Sequence, residues 1–168
     1  MSAQNSSKNF PRSFSKTPGE AALKFRPHHF LCSLGFQGKG YSDEFTANMT
    51  RIVDQGLRAP KGEATDIVVV RNTDDICAPC PKRRGLRCSN QDGIEKLDKA
   101  HLRALGLSYN ERLTWGDALD LIKQRISPGG LQIICAGCQW LEYGMCETAV
   151  QKLHTERAPS PPEDFEGP

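Results

Sequence analysis

Hydrophobic and polar positions divide the chain into a patterned middle and two polar ends. Residues 25–34 (FRPHHFLCSL) are mainly apolar. Pro27 holds Arg26 out of the helical region, so this segment is expected to start extended. Gly35, Gly38 and Gly40 make FQGKG a loop. Ser42 then caps a predicted helix to about Leu57, with Phe45, Met49, Ile52, Val53 and Leu57 repeating on one face. Residues 66–71 (DIVVVR) predict a short buried strand, because three β-branched residues run together. A cysteine-bearing loop covers 74–88. Ser89 or Asn90 caps the next helix, which carries Ile94, Leu97, His101, Ala104 and Leu105 inward and stops at Gly106. Thr114 opens another helix, with Asp117 as capping-box partner and a stripe of Trp115, Ala118, Leu119, Ile122 and Ile126. Pro128-Gly129-Gly130 ends it. Residues 131–134 are expected to form a short strand or an extended entry to a second cysteine loop, and a last helix covers about 147–156. The expected class is α+β, mostly helical, with little sheet.

The ends read differently. Residues 1–23 are rich in Ser, Asn, Lys and Pro and are expected to form a disordered arm. Residues 158–168 (APSPPEDFEGP) are expected to form a disordered, acidic, Pro-rich tail. A single cysteine-rich domain is left over 24–157. With 22 Lys+Arg against 20 Asp+Glu, the net charge of +2 is too balanced to make nucleic acid the default partner. No apolar run reaches membrane-spanning length, so no membrane association is expected. The first residues lack the apolar stretch of a secretory signal, so the expected location is the cytoplasm. Seven cysteines in such a compartment need a reason other than disulfides.

Six of them form a repeat. Cys77-x2-Cys80-x7-Cys88 and Cys135-x2-Cys138-x7-Cys146 have the same spacing. A C-x-x-C turn brings two thiolates close, and a third can fold back to the same ion or cluster. A predicted helix follows each triad at once, so each third thiolate falls near a helix N-terminus, where free N–H groups stabilise negative charge. The basic run Lys82, Arg83, Arg84 and Arg87 offsets the charge of such a site. Three ligands leave a closed site unfinished. Cys32 is the seventh thiolate, with His28 and His29 shortly before it. One triad plus Cys32 makes a four-thiolate site, and the other then takes a histidine or stays open. Alternatively, the two C-x-x-C pairs share one ion, as in a zinc ribbon, although their separation far exceeds the usual spacer of about 15–20 residues. In an extended segment only one of His28 and His29 faces a given site. Spacing leaves both zinc and iron–sulfur open, with iron–sulfur ahead.

RPHHFLC (26–32) and GFQGKGYSDEFTANM (35–49), with the later DDICAPCP (74–81) and CAGCQW (135–140), resemble an uncharacterised bacterial and archaeal family called domain of unknown function 1284. The resemblance implies an iron–sulfur cluster, with 4Fe–4S expected ahead of 2Fe–2S and zinc as the alternative. It implies no reaction.

Three functions compete. The first is an iron–sulfur protein in electron transfer, cluster handling or redox sensing, with a redox or other protein partner. The second is an enzyme using an open cluster position, with His28 or His29 moving protons. The third is a structural zinc module binding nucleic acid or protein through the basic run. Trp140 beside Cys138 is placed to shield a cluster from water. His101 reads as a core residue, and the glycines around Lys39 do not match a phosphate loop.

Overall fold

The structure, a computed structural model, describes residues 22–157. The expected arm and tail lie outside these residues, apart from Ala22 and Leu23. Leu23 starts a strand, β1 (Leu23–Phe25), because it pairs in parallel with Ile67 of β2 (Asp66–Val69). β5 (Arg112–Thr114) adds antiparallel to the other edge of β2, giving the order β1-β2-β5. Ile67 and Val69 are fully buried, while Asp66 before them and Val68 between them are half-exposed. The strand expected to be buried throughout is therefore buried on one face only.

Six α-helices among the described residues surround this small sheet, so the class is mostly helical α+β. α1 covers His29–Gly35. α2 (Asp43–Ile52) is capped by Ser42, whose Oγ accepts from Phe45 N at 3.1 Å. It runs directly into a wider π turn, Val53–Leu57, that keeps Val53 and Leu57 buried. α3 (Gln91–Leu105) ends at Gly106 in the left-handed region (φ 66°). α4 (Trp115–Arg125) starts with the expected capping box, Thr114 and Asp117 exchanging hydrogen bonds of 3.1 Å. α6 covers Met145–Glu156.

Two short segments differ from expectation. Phe25 ends β1, so the segment starts extended as expected, but after Arg26 the chain turns at once into α1, with His29 N donating to Arg26 O at 3.0 Å. Pro27 presets a helical φ and opens the turn. Residues Leu131–Ile134 form one helical turn, α5, not a strand. Cys135 N donates to Leu131 O at 2.8 Å, so this segment satisfies its backbone locally. Four residues carry too little periodicity to reveal that choice.

Phe25, Phe30, Ile76, Ile122, Ile126, Leu131 and Val150 form the centre of the core. α1 and α6 meet there at close range. A Cβ on Gly35 would stand 2.8 Å from both Cα and Sγ of Cys146. Gly35→Ala is therefore expected to force the two helices apart and cost about 1–3 kcal/mol. An unchanged midpoint in urea unfolding would mean that this contact yields freely.

Candidate functional site

The two cysteine repeats fold alike. Cys80 N donates to Cys77 O and Cys138 N to Cys135 O, each at 2.8 Å. A second turn follows in both, from Arg83 N to Cys80 O at 3.0 Å and from Leu141 N to Cys138 O at 3.2 Å. Cys88 then precedes α3, and Cys146 lies in the first turn of α6. The identical spacing thus encodes the same local structure twice. The first repeat adds a hairpin absent from the sequence reading, β3 (Arg83–Arg84) against β4 (Arg87–Cys88). Gly85 turns it with φ 61° at the first position of a two-residue loop, where such a turn favours glycine.

Six thiols, those of Cys32, Cys77, Cys80, Cys88, Cys138 and Cys146, line one cavity of about 550 Å³. Cys135 is buried beside it. Burial pushes the Cys32 thiol well up, and Cys146, Cys138 and Cys135 push it further in the same direction. Cys135 is raised to about 12, by burial and then by Cys138 and Cys146. Cys146 is raised to about 11 by burial and by Cys138. Cys32 thus lies beside the second triad, on the helix whose Gly35 packs against Cys146. Cys80 is raised by burial and by Cys88, whereas Cys77 is raised by burial and by Asp74. Buried thiols raised in this way are protonated at neutral pH and poor nucleophiles, unlike the low-pKa thiol of a thioredoxin-type motif.

His28 and His29 both line the cavity, their rings 4.1 Å apart. This overturns the expectation that only one could face a site, because they follow a helical turn and not a strand. Each ring is held by a buried carboxylate at 2.5 Å, His28 Nδ1 by Asp98 and His29 Nδ1 by Asp74. A carboxylate on Nδ1 fixes the tautomer with its lone pair on Nε2, the arrangement that backs metal-ligating or proton-transferring histidines. Asp98 also accepts from Arg26 Nε at 2.9 Å. Asp74 also accepts from Arg26 N at 2.6 Å and Cys77 N at 2.9 Å. His29, Asp74 and Cys77 offer three ligand atoms within 4.8 Å of one another, the one such group among the described residues.

Neither aspartate figures among the site residues expected from the sequence. Asp98 does carry a signal: it falls on the inner stripe of α3, three residues before His101, and is fully buried. Asp74 precedes the first C-x-x-C by the interval at which an Asp side chain caps a turn.

His101 is 1% exposed, and its Nδ1 donates to Leu97 O at 2.8 Å. Its Nε2 is then the acceptor that faces Cys135 Sγ at 3.5 Å. Burial pulls its pKa down to about 4. His28 is also lowered by burial and by His29. A histidine depressed in the folded state contributes stability that is present above the unfolded value near 6.5 and is lost as pH falls toward 4. For His101 this amounts to about 3 kcal/mol. The melting temperature is therefore expected to fall steadily between pH 6.5 and 4, with a shallower slope in His101→Gln. Equal slopes in the two proteins would contradict this. Asp74 acts lower on the scale. Burial alone would raise it, but His29 and its hydrogen bonds hold it at about 2. Its contribution persists above about 4 and is lost as pH falls toward 2.

An aromatic group borders the cavity near Cys138. Trp140 Nε1 donates to Tyr41 Oη at 3.0 Å, and the Trp140 ring lies 5.8 Å from Tyr143. Lys82 stands 4.3 Å over Tyr41. Of the basic run only Lys82 lines the cavity. Arg83, Arg84 and Arg87 are exposed on the hairpin, where Arg83 and Arg84 bind nearby carbonyls.

Fold and site together define a small, mostly helical α+β domain built around a cysteine-lined cavity. The chain belongs to the family described as Protein of unknown function (DUF1284), which matches residues 40–144. That match takes in five of the seven cysteines and leaves His28, His29, Cys32 and Cys146 outside it. No curated protein and no solved structure matches the chain. No helix among the described residues is long and apolar enough to cross a membrane.

Proposed function

We propose that this is a cytoplasmic iron–sulfur protein in which Cys32, Cys135, Cys138 and Cys146 hold a 4Fe–4S cluster. What supports the reading is the packing of α1 on Cys146 of α6, which puts Cys32 beside the second triad and brings four thiols together from two distant segments. The donor set fits the group. It is all thiol, it is largely withdrawn from water, and Cys146 sits at a helix N-terminus that favours negative charge. A 4Fe–4S cluster takes one thiolate on each iron, the number this set offers. When bound, such a cluster supplies one-electron redox capacity, for electron transfer, cluster handling or redox sensing with a protein partner. Cys77, Cys80 and Cys88 would form a second, mixed donor set with His29, suited to zinc or to an iron site with an open position.

A second reading, as an enzyme, is favoured by one observation. Two carboxylate-backed histidines face a cavity of about 550 Å³, within the range of small-molecule sites, roughly 300–1,000 Å³. His28 or His29 would then hold or deliver a proton at Nε2 beside a bound substrate.

The test is anaerobic purification followed by absorption spectroscopy and iron, sulfide and zinc analysis. Brown protein with broad absorption near 400 nm and acid-labile sulfide is expected. Colourless protein holding only zinc would replace the reading with a structural zinc module.

A further inference from the structure

Arg26 carries an unmet demand. Its side chain is 1% exposed, and Nε alone is satisfied, by Asp98. Nη1 and Nη2 are buried and have no hydrogen-bond partner among the described residues. A guanidinium withdrawn from water with two idle N–H groups is costly, and such orphans mark places that a ligand or ion completes. The free end of the fork has the geometry that grips a carboxylate or phosphate in two parallel bonds.

Arg26 lines the same cavity as the cysteines. Lys39, Lys82 and Lys96 line it too, and no aspartate or glutamate among the described residues does. The two nearby carboxylates, Asp74 and Asp98, are engaged with Arg26, His28 and His29. The lining itself thus carries four cationic side chains and no carboxylate, in a chain of almost balanced charge. Phe36, Phe45, Met49, Ile76 and Ile94 give the lining an apolar part.

We infer that the cavity binds a small organic oxyanion, a carboxylate or phosphate ester with an apolar body, anchored by the free end of Arg26. The headgroup meets Nη1 and Nη2, the body lies on the apolar wall, and the histidine Nε2 atoms face it from beside the anchor. This deepens the proposed function and rests on it for the occupant of the thiol groups. An electron carrier alone has no need of such an anchor.

The test uses the full chain, purified anaerobically with its metal and sulfide content measured first. Acetate, hexanoate, inorganic phosphate and phenyl phosphate are titrated by calorimetry at constant ionic strength. Saturable binding is expected for hexanoate or phenyl phosphate, and whichever binds identifies the headgroup. The longer or aromatic body is expected to tighten binding at least tenfold over acetate or free phosphate. Arg26→Lys is expected to weaken binding roughly tenfold to a hundredfold, and Arg26→Gln to abolish it, with iron and sulfide content unchanged. If Arg26→Gln does not fold, Arg26→Lys and the wild type carry the test. No saturable binding of any probe to metal-replete wild-type protein overturns the inference. So does equal binding by wild type and Arg26→Lys, or a loss of iron in Arg26→Lys without anion binding in the wild type. Protein that binds an anion but contains no iron would instead defeat the iron–sulfur reading and leave this one standing.

Discussion

Cys32→Ser is expected to lose the proposed cluster and to melt roughly 8–16 °C below the wild type. Loss of a bound metal belongs to the small class of changes that cost more than about 4 kcal/mol, and each kcal/mol moves the midpoint by about 2–4 °C in a chain of this size. Folding and ligation are linked, because the thiols converge only in the folded chain and are raised well above their ordinary range by burial until a metal displaces their protons. Packing offers a rival cause, since Cys32 and Cys146 lie where α1 meets α6. Additivity separates the two. If Cys32 is a ligand, chelated wild type, variant and chelated variant melt together. A variant that keeps its metal content and its melting temperature would remove Cys32 from the site.

Asp98→Asn is expected to cost about 3–5 kcal/mol, read as a lower urea midpoint with unchanged slope. The carboxylate neutralises Arg26 at 1% exposure and fixes the His28 ring, so its loss strands a buried cation. Replacing both members by apolar residues, Arg26→Met with Asp98→Leu, is expected to cost much less than the sum of the single changes. A loss below about 1 kcal/mol for Asp98→Asn would show that water reaches the pair.

These two residues also mark where the sequence stopped being informative. The helices α2, α3 and α4 announce themselves through the period of Phe45–Met49–Ile52, Ile94–Leu97–His101 and Ala118–Leu119–Ile122, and their caps at Ser42, Gly106 and Thr114 fix the ends. The cysteine repeat is equally plain, because identical spacing gives identical turns. What it leaves open is which triad Cys32 joins. That depends on α1 packing against α6 through Gly35, a contact between segments far apart in the chain. The buried carboxylates are hidden for a related reason. Asp74 and Asp98 are ordinary polar residues until Arg26, His28 and His29 are placed against them, and the helical turn after Pro27 that does so is too short to show a period. The idle Nη atoms of Arg26 exist only once its surroundings do.

X-ray absorption at the iron edge of the anaerobically purified chain tests the central claim most directly. If the thiols gather around a shared cluster, the spectrum shows a sulfur shell together with an iron neighbour, and the iron neighbour disappears in Cys135→Ser. Iron surrounded only by nitrogen and oxygen, or protein saturated with zinc and free of iron, would contradict it.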